Sequence, residues 1–71
     1  MLDLLLRANG FTRKNDTWTR QNLTAGGLFD LDIVPDDDHY LCTLRQGATS
    51  LLNVRRDADG VADLVVTFLT S

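Results

Sequence analysis

Apolar and polar residues alternate along three segments in the middle of this 71-residue chain, at 28–34, 39–46 and 50–56. Successive side chains of a strand point to opposite faces of its sheet, so such a pattern buries one face and leaves the other in water. Residues typical of turns separate the segments, among them Pro35 and Gly47. The pattern therefore predicts strands that are joined by short turns into an antiparallel sheet.

The predicted turns also set a register that can be checked for consistency. They are a four-residue turn at 35–38, a three-residue loop at 47–49 and a three-residue loop at 58–60, in which Gly60 suits a positive φ. The resulting cross-strand pairs are apolar on both sides: Ile33 with Tyr40, Leu31 with Cys42, Phe29 with Leu44, Leu44 with Leu52, Cys42 with Val54, Val54 with Leu64, and Leu52 with Val66. The third loop also pairs Arg55 with Asp63 on the opposite face. Because all three turns select one buried face, we predict a fourth strand over 61–70.

The residues before this meander predict a helix and a hairpin. Good helix formers fill residues 2–9, and Gly10 follows as a natural stop. Threonines and aromatic residues flank an Asn-Asp pair within 11–20, which predicts a hairpin with Arg13 opposite Trp18.

Together these elements predict one α+β domain over residues 1–71. One short N-terminal helix packs on an antiparallel sheet, which consists of a four-strand meander over 28–70 and the hairpin over 11–20. Residues 21–27, which end in two glycines, are predicted to form a loop. A core of this size leaves a free energy of unfolding of only about 3–5 kcal/mol.

The charge of the chain argues against direct nucleic-acid binding. The net charge is −3 and all ten acidic residues are aspartates, whereas nucleic-acid binders use Lys and Arg to neutralise phosphates. No apolar run reaches the roughly 18 residues of a membrane span. The short apolar start carries Asp3, unlike a signal peptide. We therefore expect a cytoplasmic protein, in the host cytoplasm if a phage encodes it.

Cys42 and His39 are the residues that could support nucleophilic catalysis, but the predicted strand points them to opposite faces. With one cysteine and one histidine, the chain lacks the ligands of a usual zinc site. The segment from Asp57 to Gly60 departs from the calcium-loop pattern. We expect no catalytic residue, no metal site and no cofactor, and hence a protein that is not an enzyme.

A row of carboxylates is the first candidate for a binding site. Asp30 and Asp32 project from the polar face of the predicted sheet, about 7 Å apart by strand rise, and residues 36–38 continue the row. Fixed carboxylates at this spacing can imitate phosphates. The predicted partner is a protein with a basic nucleic-acid-binding surface, contacted through Asp30, Asp32, Asp36, Asp37, Asp38 and Asp63.

The hairpin offers an alternative site. It places Arg13, Trp18 and Arg20 on one face with Lys14 nearby, a combination that can hold phosphates and stack bases in a small nucleic-acid-binding or toxin-like module. In the other interpretation the ring of Trp18 closes the edge of the core.

A second alternative is a structural or assembly subunit that uses the polar face of the sheet. Leu41, Leu51 and Val65 form an apolar strip there, and such strips can pair with a second copy or a partner. This alternative predicts a dimer or a larger assembly. For the chain in general we expect a monomer or a weak homodimer.

The order of elements over residues 4–20, a helix, Asn-Gly-Phe and a hairpin, resembles that of the small HicA-type toxin ribonucleases. That family places its catalytic histidine in the hairpin, where this chain has Trp18, so the resemblance does not imply the activity here. In size and charge the chain is similar to phage-encoded inhibitors of bacterial defence, including anti-CRISPR proteins. That likeness implies an inhibitor that competes with nucleic acid for its partner.

Overall fold

A computed structural model of the chain describes residues 2–70, which form two helices and five strands. In chain order these are α1 (Leu2–Ala8), β1 (Thr12–Lys14), β2 (Thr17–Thr24), β3 (Gly27–Asp36), β4 (His39–Gln46), β5 (Thr49–Arg56) and α2 (Ala58–Leu69). The strands form one antiparallel sheet in the order β1-β2-β3-β4-β5. The predicted α+β class, with an N-terminal helix on an antiparallel sheet, is confirmed. Met1 and Ser71, which the predicted domain includes, lie outside the described residues.

The turn between β3 and β4 is tighter than predicted. It holds only Asp37 and Asp38, and Asp37 takes a positive φ of 56°. Ile33 therefore pairs with Cys42 and not with Tyr40, a shift of two residues. A two-residue shift returns each side chain to the same face, so the predicted inside and outside of these strands are right although the pairs are wrong.

The predicted pairs between β4 and β5 are confirmed, but through a different turn. Leu44 pairs with Leu52, and Cys42 pairs with Val54. The turn holds two residues, and a β-bulge beside Leu44 takes up the third residue of the predicted loop.

The predicted N-terminal helix and hairpin are also confirmed. Helix α1 ends at Ala8, and Gly10 takes a positive φ of 82° just beyond it. Arg13 pairs with Trp18 across a two-residue turn, in which Asn15 has a φ of 56°. Asn and Gly tolerate this left-handed conformation, which is why both features can be predicted from the residue types.

The predicted loop at 21–27 is wrong. Strand β2 continues to Thr24 and pairs with β3 from Trp18 onwards, so only Ala25 and Gly26 form the turn. The polar strand residues find partners in the fold, as when the Asn22 amide donates a hydrogen bond to a backbone carbonyl of α2 at 3.0 Å. Their polarity therefore did not indicate a loop.

The predicted fourth strand over 61–70 is also wrong, because this segment is helix α2. Asp57 caps the helix, since its side-chain oxygen accepts a hydrogen bond from the Gly60 N–H at 2.8 Å. The first helical backbone bond follows at once, from the Val61 N–H to the Asp57 carbonyl at 2.9 Å. Gly60 lies in the first turn of a helix and not in a hairpin loop.

The helix reverses the predicted exposure of two adjacent valines. Val65, predicted to face outward as part of the apolar strip, is 1% exposed, whereas Val66, predicted to be buried, is 59% exposed. The predicted pairs of α2 residues with β5, which include Arg55 with Asp63, do not form.

Both helices cover the same face of the sheet. Leu6 of α1 and three residues of α2 share one core with the inward side chains of the strands; its buried members are Leu6, Phe11, Trp18, Leu31, Ile33, Cys42, Val61, Val65 and Phe68. The opposite face, called the outer face below, carries no helix within residues 2–70. In the same residues, neither helix is long and apolar enough to cross a membrane.

Candidate functional site

The carboxylates of Asp30 and Asp32 lie on the outer face, as predicted, but they are held by an arginine. Arg45, directly opposite Asp30 on β4, donates two hydrogen bonds to Asp32, one of them from Nη2 to Oδ1 at 3.1 Å. Its Nη1 lies 4.0 Å from Asp30 Oδ2. The Thr19 hydroxyl donates a further hydrogen bond to Asp32 at 2.7 Å. These two carboxylates therefore share one arginine in a cluster of net charge −1, and they are not a row of free charges.

The register explains why this cluster was not predicted. The predicted pairing of Phe29 with Leu44 places Asp30 opposite Thr43, whereas the observed pairing places it opposite Arg45. Opposite charges on paired strands attract each other, so the correct register would have predicted the ion pair.

The carboxylates at the β3–β4 turn are paired in a similar way. Arg55 Nε donates to Asp36 Oδ2 at 2.9 Å, and its Nη2 lies 3.7 Å from Asp38. His39 Nδ1 lies 2.7 Å from Asp38 Oδ1, and this hydrogen bond lowers the pKa of the Asp38 carboxyl. The partner of Arg55 is therefore Asp36, and not Asp63 as predicted.

Among residues 2–70, the six carboxylates of the predicted partner site do not form one surface. Asp30 and Asp32 bind Arg45, and Asp36 and Asp38 bind Arg55. The remaining two, Asp37 in the turn and Asp63 on α2, are exposed and make no ion pair with the described residues.

The Asp32 cluster predicts how stability depends on pH. The hydrogen bonds from Arg45 lower the pKa of Asp32 below its usual value near 4. The contribution of a lowered carboxyl pKa to the free energy of unfolding is fully present above about pH 4. It is lost as the pH falls through the folded-state pKa. We expect Asp32→Asn to reduce the free energy of unfolding at pH 7 by roughly 1–2 kcal/mol, since Arg45 is partly screened by solvent.

Urea unfolding at several pH values between 7 and 3 checks this result. The difference between wild type and Asp32→Asn is expected to shrink below about pH 4. Asp37→Asn, at an exposed position without an ion pair among residues 2–70, is the matched control and is expected to change stability by less than about 0.5 kcal/mol. Equal effects of the two substitutions at pH 7 would contradict the assignment.

In the alternative nucleic-acid face, the aromatic rings close the core. Trp18 and Phe11 are each 4% exposed, so neither ring face is accessible to a base. The arginine over the Trp18 ring is Arg7 of α1, whose Cζ lies 5.0 Å from the ring centroid. The sequence did not predict that Arg7 covers the Trp18 ring, because this contact joins two separate elements, α1 and β2. The position of Arg7 in the last turn of α1, close to the hairpin in the chain, was the signal that could have indicated it.

The basic residues of that face are spread along the hairpin. Arg13 lies 3.8 Å from Asp16 and donates a hydrogen bond to the Asn15 carbonyl, and Lys14 is exposed beside the same turn. Arg20 packs against Gly10, where an added Cβ would lie 2.9 Å from Arg20 Nε. These residues form no shared cradle for a phosphate.

Cys42 and His39 lie on opposite faces of β4, as predicted. Cys42 is 1% exposed within the core, and burial raises the pKa of its thiol, which keeps it in the unreactive form. His39 faces the outer side beside Asp38. Within residues 2–70, no group of three potential ligands is placed to hold a metal ion.

Comparisons with known proteins identify no relative of this chain. No family model matches the sequence, and searches of curated proteins and of solved structures find no match.

The two edges of the sheet differ in how well they are protected. Edge strand β1 has three residues, two of which are the charged Arg13 and Lys14. Edge strand β5 has eight residues, and the first six are uncharged. All eight side chains are exposed except that of Val54, which is half-buried. Short strands and charged side chains normally block edge-to-edge pairing. β1 has both devices, although it covers only residues 17–19 of β2 and leaves residues 20–24 of β2 as an edge. β5 is long and uncharged up to Arg55, and a β-bulge at Leu51 is the protection it has.

An apolar groove lies beside the β5 edge, between α2 and the sheet. We define it by Leu44, Leu52, Val54, Leu64 and Phe68, which line a cavity of about 180 Å³. Leu52 is 46% exposed, so the groove opens to solvent at the strand edge. A second cavity of about 230 Å³ continues it past Leu44 and Phe68 towards Phe29.

The alternation of apolar residues predicts that these groove residues lie in the closed core, because a fourth strand would pair with β5 and cover Leu52. Because that segment is a helix, β5 becomes an edge and Leu52 becomes half exposed. The Asp57 cap and the helical spacing of Val61, Val65 and Phe68 were the signals that could have revealed this surface.

Proposed function

We propose that this protein is a non-enzymatic interaction module that binds another polypeptide by adding a strand to the edge of β5. The observation that carries the proposal is the β5 edge, an eight-residue strand whose first six residues are uncharged and which pairs only with β4 within residues 2–70. Such an edge presents a row of backbone N–H and C=O groups that an extended polypeptide can pair with.

The apolar groove supports the same proposal. In strand addition, backbone hydrogen bonds supply affinity, and pockets for alternate side chains supply specificity. Leu52 and Leu64 lie along the β5 edge on the helix side, where every second side chain of an added strand would point. An added strand with apolar residues at these positions would cover Leu52, which is otherwise half exposed.

Competition with nucleic acid for a basic partner surface, as in a phage-encoded inhibitor, is a second candidate. The exposed carboxylates of Asp37 and Asp38 at one turn favour it, together with the net charge of −3. It has less support, because Asp30, Asp32 and Asp36 are bound to arginines in the fold. Both candidates are compatible with the cytoplasm, where the single thiol would stay reduced.

Photo-crosslinking in the cells that make the protein tests the proposal. Benzoylphenylalanine placed at Leu52, on the β5 edge, is expected to form a crosslink to a polypeptide. The same residue at Leu4, which is 66% exposed on α1 and not on a strand edge, is the control and is expected to form none. Crosslinks from Asp37 but not from Leu52 would overturn strand addition and support the acidic competitor.

A further inference from the structure

We propose that the apolar groove binds the alkyl chain of a fatty acid, and that the carboxylate of this ligand pairs with Arg56. The inference does not rest on the proposed function. An added strand would run alongside β5, so its side chains would reach the groove only at the end formed by Leu52 and Leu64. The second cavity, which lies across β4 beside Phe29, would stay empty. A linear chain of methylenes can enter both cavities.

The strand register shows that the groove crosses the sheet and does not follow one strand. Leu52, two residues before Val54 on β5, pairs with Leu44 on β4. Leu44 pairs in turn with Leu31 on β3, and Phe29 lies two residues before Leu31. The path from Val54 to Phe29 therefore covers two strand spacings across the sheet and four residues along it. This distance is roughly 16 Å.

The dimensions of the groove match an alkyl chain of medium length. An extended polypeptide advances about 3.3–3.6 Å for three backbone bonds, or about 1.2 Å per single bond. A path of roughly 16 Å therefore holds an extended chain of about 12–14 carbons. The two cavities measure about 180 and 230 Å³, and together they reach the range of about 300–1,000 Å³ that is typical of small-molecule sites.

The walls of the groove offer contacts to hydrocarbon and little else. The described residues that line the two cavities are apolar apart from Thr24 and Thr67. The Thr24 hydroxyl donates to the Gly27 carbonyl at 3.2 Å, and the Thr67 hydroxyl donates to the Asp63 carbonyl at 3.0 Å. Both hydroxyls are therefore bonded to backbone of the protein. A sugar or a nucleotide would find few polar partners in the groove, whereas an alkyl chain needs none.

Arg56 supplies a positive charge at one end of the groove. It follows Val54 by two residues on the same face of β5, so its Cα lies about 7 Å beyond that of Val54. The Arg56 stem packs on the first turn of α2, where its Cδ lies 3.0 Å from the position of a Cβ added at Gly60. Its guanidinium donates to the Arg55 carbonyl at 2.9 Å and forms no ion pair with residues 2–70. Asp57, the next residue, is occupied as the cap of α2.

The charge of Arg56 acts on the groove itself. Cys42 lines the first cavity. Burial raises the pKa of the Cys42 thiol, and the nearby charge of Arg56 opposes this rise. The neighbouring Arg55 projects to the outer face, where it binds Asp36. One end of the apolar groove thus carries a single cation with free donors, which is complementary to a carboxylate head group.

Isothermal titration calorimetry of the purified protein with fatty acids of increasing length tests the proposal. Octanoate, decanoate, dodecanoate and hexadecanoate are added below the concentrations at which they form micelles. Affinity is expected to rise about fourfold for each buried methylene. It is expected to level off at about 12–14 carbons, where the groove ends. Dodecyltrimethylammonium has a chain of the same length as dodecanoate, and it is expected to bind at least about tenfold more weakly because its head group is a cation.

Two pairs of variants locate the chain and the head group. Arg56→Gln is expected to weaken dodecanoate binding about tenfold and to leave dodecanol binding unchanged. Arg55→Gln, the adjacent arginine on the outer face, is the matched control and is expected to bind dodecanoate within about twofold of wild type. Leu52→Glu places a carboxylate in the open side of the groove and is expected to abolish binding. Leu4→Glu, exposed on α1, is its control and is expected to bind normally.

Thermal unfolding followed by circular dichroism shows that each variant is folded and gives a second measurement. Dodecanoate is expected to raise the melting temperature of the wild type, because it binds the folded state. A lowered melting temperature, equal binding by wild type and Leu52→Glu, or an affinity that still rises at hexadecanoate would overturn the fatty-acid site. Equal effects of Arg56→Gln and Arg55→Gln would overturn the pairing of the carboxylate with Arg56. None of these results changes the outcome of crosslinking to a polypeptide from position 52, so the proposed function fails or stands separately.

Discussion

Replacing Val65 with aspartate is expected to unfold the protein, whereas the same change at Val66 is expected to leave it folded. Val65 is 1% exposed on the side of α2 that packs into the core, and the next residue, Val66, is 59% exposed towards solvent. A carboxylate buried without a partner costs about 4 kcal/mol or more, which matches the whole stability of about 3–5 kcal/mol expected for a core of this size. Circular dichroism and urea unfolding of the two variants measure the difference.

This pair of substitutions distinguishes the helix from the strand that the sequence pattern predicts. In a strand, Val66 would face the core together with Leu64 and Phe68, and Val65 would face water. The opposite result, with Val66→Asp unfolded and Val65→Asp stable, would therefore restore the fourth strand. It would also remove the exposed β5 edge on which the proposed strand addition depends.

Trp18→Ala is expected to leave most of the protein unfolded at 25 °C. The Trp18 ring is 4% exposed, belongs to the core and lies under the Arg7 guanidinium. Truncating a buried aromatic residue to alanine lowers the free energy of unfolding by about 3–5 kcal/mol, because apolar burial is lost and a cavity remains. Far-UV circular dichroism and a urea titration measure the loss directly.

Trp18→Phe is the matched control for this prediction. It keeps a ring in the core, so the loss is expected to be smaller than for alanine and the fold to persist. Arg7→Met removes the cation above the ring and is expected to cost only about 0.5–1 kcal/mol. A folded Trp18→Ala variant of wild-type stability would show that the ring is outside the core, and would return Trp18 to the nucleic-acid face.

Local chemistry made the ends of α1 and the first hairpin predictable. Asn15 and Gly10 take positive φ angles that few other residues tolerate, and each lies where the chain must turn. The inside and outside of β3 and β4 were predictable for a different reason. Alternation has a period of two residues, so the face survived even where the β3–β4 pairs were wrong by two positions.

Turn chemistry and alternation could not decide whether residues 58–69 form a strand or a helix. Val, Thr, Phe and Leu favour strands, and Leu64, Val66 and Phe68 alternate as a strand would. The same residues also fit a helix through Val61, Val65 and Phe68. Both patterns bury an apolar stripe, and the sheet of β1 to β5 lacked a cover that α1, with seven residues, is too short to supply.

By itself, the sequence determined the fold class, the faces of β3 and β4, and the outward direction of Asp30 and Asp32, because these depend on alternation and turn chemistry between near neighbours. Only the tertiary structure decided that residues 58–69 are helical, that β5 is an edge, and that Arg45 and Arg55 each pair with two of the carboxylates. Those outcomes depend on which surface each segment covers and on which residues lie opposite each other. Packing between distant parts of the chain sets both.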